Sequence, residues 1–138
     1  MNGDNIAVEF LIETDRLHKW IKQQVSDELN KVGLKLTTDQ WLVLLFLHEK
    51  DPQTQVTIAN QLKKDPASMT RIIDLIEKNG WVHRIKVEGD RRKFAIQLSV
   101  EGRRKAKMAH QILESLDTRV SQRITDETFS AIASIIKP

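Results

Sequence analysis

The sequence predicts a mainly α-helical fold that carries one small β-hairpin. Residues 65–80 begin with Asp65-Pro66, suited to a helix N-terminus, carry apolar residues at helical spacing, and stop at Asn79-Gly80. Residues 81–98 then alternate roughly with period two around a turn signal at 88–90. A helix followed by a hairpin with arginines at its tip is typical of a winged helix-turn-helix.

A long first helix is predicted from about residue 5 to residue 32. Leu17, Ile21, Val25 and Leu29 form a row four residues apart, and Gly33 supplies a stop. At about 1.5 Å per residue this helix is about 40 Å long, which exceeds the need of a small domain. We therefore expect a partner chain, with the alternative that the helix only spans its own core.

The middle of the chain predicts a buried helix and then a helix-turn-helix. Thr37 and Gln40 have capping-box spacing, and residues 41–47 are apolar nearly all round. Residues 53–56 are expected to form a short strand beside the hairpin. Thr57 is expected to cap a brief helix over 58–64, which a tight turn joins to the helix that starts near Asp65.

Two further helices are predicted after the hairpin. Ser99 is placed to cap a long helix, and residues 125–127 open a last helix whose acidic residues suit its N-terminal dipole. The last helix is strongly apolar, at Phe129, Ile132, Ala133, Ile135 and Ile136. An apolar helix of this kind needs a cover.

The positive charge of the chain is concentrated in one segment. Of the 138 residues, 22 are Lys or Arg and 19 are Asp or Glu, a net charge of +3 that suits one domain of ordinary composition. Residues 57–105 hold 12 cationic and 6 acidic residues, whereas the remainder holds 10 and 13. This asymmetry indicates a nucleic-acid surface, although charge runs are more often solvated faces.

Several classes of protein are disfavoured. No apolar run has the length of a membrane span and the N-terminus is unlike a signal peptide, so we expect no membrane partner and a cytoplasmic location. The chain has no cysteine, no glycine-rich phosphate loop and no Ser/His/Asp arrangement, so we expect neither an enzyme nor a cofactor. The histidines, including His48 and His110, are scattered and predict no metal site.

Three motifs give the sequence a family resemblance. They are Leu36-Thr37-x-x-Gln40-Trp41 at the second helix, Thr70-Arg71 with Glu77-Lys78-x-Gly80 in the recognition helix, and Asp90-x-Arg92 followed by Leu98-Ser99-x-x-Gly102 at the wing. In this order they resemble the MarR family (multiple antibiotic resistance regulators) of bacterial regulators. Ser99 stands where that family usually has threonine, and either hydroxyl can cap a helix.

The resemblance implies a homodimeric, winged-helix, DNA-binding transcriptional regulator. It would act as a repressor on a pseudo-palindromic operator in double-stranded DNA, relieved by a small aromatic or anionic effector. Residues 1–138 would be one domain, with dimerisation helices at 1–33 and 106–138 and a DNA-binding lobe at 37–105. The rival interpretation is a winged-helix protein-interaction or ligand-sensing module that does not bind DNA.

The candidate DNA-binding residues follow from charge and from position on the helix and wing. Cationic side chains neutralise phosphates, Arg71 could reach a guanine edge, and Arg92 could enter a narrow minor groove. Asp90 is expected to orient Arg92, with the alternative that the pair only staples the turn. Asp74 could orient Arg71 or Lys78. The full predicted set is Lys63, Ser68, Thr70, Arg71, Lys78, Arg91, Arg92 and Lys93.

A ligand pocket between the first helix and the lobe is a further expectation from the resemblance. The residues placed to line it are Arg16, His18, Lys19, Trp20 and Trp41. The alternative is that Trp41 belongs to the core, Trp20 packs in the dimer, and Arg16 and Lys19 are solvated surface residues.

Overall fold

A computed structural model describes residues 5–138, apart from the side chains of Arg91 and Arg92. Predominantly helical, it has a β-hairpin inserted between the fourth and fifth helices and a short strand between the second and third that completes a small sheet. In chain order the elements are α1 Ile6–Lys31, α2 Thr38–Glu49, β1 Gln53–Thr54, α3 Gln55–Leu62, α4 Pro66–Lys78, β2 Val82–Val87, β3 Asp90–Leu98, α5 Val100–Gln111, α6 Leu113–Ser121 and α7 Asp126–Ile136. The predicted fold class, a winged helix-turn-helix with long flanking helices, is confirmed.

The wing is an antiparallel sheet in the order β1-β3-β2. Strands β2 and β3 pair from Val82 opposite Leu98 to Val87 opposite Asp90, with a register irregularity near the tip. The turn between them needs a left-handed residue, and Gly89 supplies it with a φ of 86°. Gln53 pairs with Ile96, so the short strand expected beside the hairpin is present.

The hydrophobic core surrounds α2. Val43, Leu44 and Leu47 are completely buried, as expected for a helix that is apolar nearly all round. The predicted capping box is confirmed, because Thr37 Oγ1 accepts from the amide of Gln40 at 3.1 Å and the Gln40 side chain accepts from the amide of Thr37 at 3.1 Å. These bonds satisfy backbone donors that the first turn of α2 leaves without partners.

The prediction for α3 was wrong about its cap and its start. Thr54, rather than Thr57, is the N-cap, and its hydroxyl accepts from the amide of Thr57 at 3.1 Å. The helix therefore begins at Gln55, and the strand before it ends two residues earlier than expected. An N-cap needs an extended backbone, and the pairing of Thr54 with Ala95 of β3 provides it.

The predicted ends of α4 are present, with one difference. Gly80 adopts a φ of 79°, and the amide of Trp81 donates to the Ile76 carbonyl, so the expected left-handed stop is confirmed. Asp65 occupies the N-cap position, but its carboxylate makes no capping hydrogen bond of normal geometry. Ser68 is still close enough to lower the pKa of the Asp65 carboxyl.

The C-terminal helices follow the predicted caps but divide differently. Ser99 caps α5 by accepting from the amide of Gly102 at 2.9 Å, and Thr125 caps α7. The single long helix predicted after Ser99 is interrupted at Ile112, where α5 ends and α6 follows. Between residues 5 and 138, no helix combines the length and apolar character needed to cross a membrane.

Candidate nucleic-acid interface

Helix α4 buries one face and presents the other to solvent. Met69, Ile73 and Ile76 are fully buried in the core, as the apolar spacing predicts. Arg71 and Lys78 are exposed on the opposite side. The helix is therefore anchored by its apolar side while its cationic side chains remain accessible.

The wing lies beside α4 and is tied to it by two ion pairs. Arg84 of β2 places its guanidinium 2.7 Å from Asp74 Oδ1 and 2.8 Å from Glu77 Oε1, both on α4. At the other end of α4, a cavity of about 210 Å³ is bordered by Pro66 and Met69 of the helix and by Lys93 of β3. Helix α4 and the wing are consequently in contact near both ends of the helix.

The predicted contact residues on the helix-turn-helix are mostly exposed. Gln55 Nε2 donates to Thr70 Oγ1 at 3.0 Å, so the start of α3 fixes the hydroxyl of Thr70. Arg71 donates to Ser68 Oγ at 3.3 Å, a contact long enough to be given up for a phosphate. Lys63 lies in the turn between the two helices, exposed and with a φ of 56°.

The wing tip is described only in part. Lys93 is exposed, and Asp90 is partly buried. The side chains of Arg91 and Arg92 lie outside the described part of the chain, so the roles given to them stay predictions. The same holds for the predicted contact between Asp90 and Arg92.

Asp74 and Arg84 differ from expectation. Asp74 was predicted to orient Arg71 or Lys78, but it pairs with Arg84 instead, because the hairpin brings that strand residue over the helix. Arg84 was not among the predicted site residues. A signal existed in the sequence: arginine stands two residues after the apolar Val82, on the strand face that turns inward, where a charge requires a partner.

The five predicted pocket residues do not converge on one cavity. Trp41 is buried, and its indole donates to the carbonyl of Ala109 at 2.9 Å. Trp20 contacts Arg123, whose guanidinium carbon lies 5.3 Å from the ring centroid. Arg16 and Lys19 pair along α1 with Glu13 and Asp15, and His18 faces α7. His18 and Lys19 border two different cavities of the described chain, so the ligand pocket stays a prediction.

The terminal helices expose apolar surface. Along α1 and α7, Phe10 is 55 % exposed and Ile135 is 75 % exposed, and α7 contains no buried residue. Phe10, Leu17 and Ile136 contribute to an open apolar groove between these helices. The groove is larger than the cavity beside the wing, at about 540 Å³.

The described part of the chain contains no cluster of side chains that could form a metal site. Between residues 5 and 138, no group of three or more His, Cys, Asp or Glu side chains could hold a metal ion. His48 and His110, which are distant in sequence, do meet, with ring centroids 4.7 Å apart. Both rings are on exposed residues, and the pair alone makes an incomplete ligand set.

Comparison with known proteins shows that this chain is similar to transcriptional regulators. Residues 36–94 match the model of the MarR family. The HTH-type transcriptional regulator YhbI of Bacillus subtilis is 30 % identical over 122 residues, which cover 82 % of this chain and 78 % of that relative. The multiple antibiotic resistance protein MarR of Escherichia coli is 24 % identical, with 92 % and 90 % covered. Some matches are shorter: the alignment spans about half of YwoH of Bacillus subtilis, at 34 % identity over 55 % of this chain and 54 % of the relative.

Solved structures agree with the fold. Reduced AbfR bound to DNA has a TM-score of 0.71 and 26 % identity, with 95 % of this chain and 89 % of that chain covered. A mutant MarR of Escherichia coli complexed with operator DNA has a TM-score of 0.78 at 19 % identity, with 96 % and 94 % covered, and at that identity it is informative for the fold alone.

Proposed function

Because this chain belongs to the MarR family of transcriptional regulators, we propose that it is a homodimeric repressor of a pseudo-palindromic operator. The observation that carries the proposal is the contact between α4 and the wing, two elements on which Arg71, Lys78 and Lys93 are each exposed. Such an arrangement matches a major groove and its flanking phosphates. AbfR, of similar fold, has been solved bound to DNA.

The proposed contacts divide by chemistry. Arg71, Ser68 and Thr70, in the first two turns of α4, would approach the major groove. Lys63 and Lys78 would neutralise phosphates, which gives affinity without sequence information. At the wing, Arg91 and Lys93 would contact phosphates while Asp90 orients Arg92 into the minor groove.

The proposed dimer uses the terminal helices. Residues 1–33 and 106–138 would pack against the same segments of a second copy, leaving residues 37–105 as the DNA-binding lobe. Support comes from Ile132, Ile135 and Phe129, apolar residues of α7 that are 41 %, 75 % and 68 % exposed in the single chain. Clusters of exposed apolar residues on helices mark interaction surfaces. In a dimer the two recognition helices would address half-sites about 34–36 Å apart.

Relief by a ligand is the proposed regulation. A small aromatic or anionic effector would bind the dimer in a spacing incompatible with adjacent half-sites, and its effect would equal its differential affinity for the two spacings. Reciprocity requires operator DNA to weaken the ligand by the same factor. Calorimetric titration of aromatic carboxylates, with and without operator, tests this, and binders that are indifferent to DNA would contradict it.

Operator binding can be tested with alanine variants of α4 and the wing. DNA fragments selected by the purified protein define an operator, on which Arg71→Ala and Arg92→Ala should each weaken binding by about 1–3 kcal/mol. Loss of Arg92 should also flatten the preference for A·T pairs at the flank. Lys93→Ala should weaken all sequences equally and lower the salt slope by about one.

The controls separate binding from folding. Each variant should keep the melting temperature and the mass of the wild-type dimer, measured by calorimetry and light scattering. Wild-type protein that shows no salt-dependent binding to any duplex would refute the proposal and favour a protein-interaction module. If Arg92→Ala binds normally but melts earlier, the wing arginine only staples the turn.

A further inference from the structure

Arg84 holds the recognition helix at three successive turns. Its guanidinium contacts Asp74 at 2.7 Å and Glu77 at 2.8 Å, and it lies 3.4 Å from the Thr70 carbonyl, a weaker contact. The backbone amide of Arg84 also donates to Glu77 Oε2 at 3.2 Å. Both the main chain and the side chain of one β2 residue are therefore tied to α4.

The side chain of Arg84 is sheltered from solvent, whereas the side chains of its two acidic partners are more exposed. The side chain of Arg84 is 19 % exposed, against 58 % for Asp74 and 40 % for Glu77. A half-buried arginine that meets two carboxylates uses the fixed fork of its guanidinium, which lysine lacks. The acidic oxygens nonetheless remain at the surface that carries the candidate DNA contacts.

Asp74 has other cations within reach along its own helix. Arg71 precedes it by three residues and Lys78 follows by four, the spacings at which side chains on a helix meet. Yet within residues 5–138 neither Arg71 nor Lys78 forms an ion pair, because Asp74 and Glu77 are both turned to Arg84. Within the described residues, Arg71 and Lys78 are thus left without a salt bridge, and the hydrogen bond that Arg71 does make is the 3.3 Å contact to Ser68 Oγ.

We propose that Arg84 is a positioning residue for DNA binding, which holds Asp74 and Glu77 away from Arg71 and Lys78 and from the phosphates. This inference rests on the proposed function. In it Arg84 touches no DNA: it fixes the wing against α4 and cancels two carboxylates that would otherwise compete with phosphate for the helix cations. The positive charge of Arg84 in the wing strand thus leaves the positive charges of Arg71 and Lys78 available to phosphates.

A mutant cycle that treats Asp74 and Glu77 as one unit tests whether Arg84 masks their carboxylates. Arg84→Met, which keeps the length of the side chain, should weaken binding to the selected operator about tenfold. Adding Asp74→Asn and Glu77→Gln should restore most of that loss. The same two neutralisations should change affinity by less than about threefold when Arg84 is present, because the carboxylates are already paired.

The salt dependence separates masking from direct contact. If Arg84 itself bound a phosphate, every variant lacking it would lose about 0.9 from the slope of log affinity against log salt, and neutralising the carboxylates would not restore that slope. That result overturns the proposal. So does an equal gain from neutralisation in both backgrounds, or an Arg84→Met variant that binds like wild type.

Two further variants guard against trivial outcomes. Arg84→Lys keeps the charge but can satisfy only one carboxylate well, so it should show an intermediate loss and serves if Arg84→Met does not fold. Lys22→Gln, an exposed lysine of α1, makes the same change of net charge away from the lobe and should bind normally.

A measurement without DNA isolates the positioning. Hydrogen exchange of the free protein should be faster in β2 of Arg84→Met than in wild type, with α2 unchanged. Unchanged exchange in β2 contradicts the tie between wing and helix. Wild-type protein that fails to bind any duplex refutes the proposed function itself, whereas wild-type binding with no effect of Arg84→Met refutes only this inference.

Discussion

Helices α2 and α7 are both strongly apolar, but their side chains differ in how far they are buried. In α2, Val43, Leu44 and Leu47 are fully buried, and the helix packs chiefly against α5. In α7 no residue is buried, and Ile135 is 75 % exposed. The core around α2 is completed by Val25 and Leu29 of α1 and by Leu116 of α6, whereas α7 leaves its apolar residues exposed. Similar composition therefore gives internal packing in α2 and exposed apolar surface in α7.

The largest effect is expected at Gly102 of α5, which lies against the backbone of Trp81. A Cβ there would lie 1.8 Å from the carbonyl oxygen of Trp81, which is backbone and cannot swing away. Gly102→Ala should lower the free energy of unfolding by about 4 kcal/mol or more, measured by urea denaturation. The control is Gly33→Ala, which meets open space but has a φ of 74°, and should cost only about 1 kcal/mol. Equal losses at the two glycines would show that the contact at Trp81 relaxes.

The next effect concerns the packing between two terminal helices, where Glu28 of α1 meets α6. The carboxylate is almost fully buried and accepts from Arg119 at 2.8 Å and from Ser115 at 3.0 Å, with Lys31 at 3.1 Å. The hydrogen bond from Arg119 is the main reason that the pKa of Glu28 falls from 4.5 to about 2, against the opposing effect of burial.

The sign of the pH dependence follows from that lowered pKa. The stabilisation by Glu28 is fully present above the unfolded pKa of 4.5 and is lost as pH falls toward about 2. It should amount to about 3 kcal/mol at pH 6, of which about 2 kcal/mol should be lost when unfolding is measured at pH 3. Glu28→Gln should remove most of this acid-dependent loss. Glu101→Gln, which breaks a surface pair with Arg104, should change unfolding by less than about 1 kcal/mol.

A substitution in α7 is expected to have the smallest effect on the stability of the single chain. Its main effect should be on association. Ile135→Asp should scarcely change the packing of one chain, because the side chain is already 75 % exposed. It should weaken the proposed dimer by about 2 kcal/mol per protomer, since an apolar contact is lost in each copy. Sedimentation across a concentration series measures this.

Val100→Asp provides the matched control for the terminal helices. Val100 of α5 is equally exposed, at 77 %, but it belongs to the lobe. An aspartate in the first turn of a helix also suits the helix dipole, so the fold should tolerate it. If Val100→Asp disturbs the dimer as much as Ile135→Asp, or if neither does, the distinction between the two regions is wrong.

Most of the fold could be predicted because its signals are local. The capping box at Thr37 and Gln40, the glycine stop after α4 and the alternation around Gly89 each depend on residues a few positions apart. The candidate contacts of α4 could be predicted in the same way, because helical spacing alone assigns Arg71 and Lys78 to the face opposite Met69. The wing signature identified Gly102 as part of a motif but not the contact that requires it.

By itself the sequence determined which segments are helical, which faces are apolar and where the positive charge is concentrated. These properties depend on backbone propensity and side-chain period, which act over a few residues. Only the tertiary structure decided that Thr54 caps α3, that Asp74 pairs with Arg84, and that Gly102 lies against Trp81. Each of these depends on a sheet, a hairpin or a helix packing that brings residues together from different elements. Such contacts depend on how the whole core packs. From the sequence alone, several nearby residues of similar chemistry were equally suitable partners.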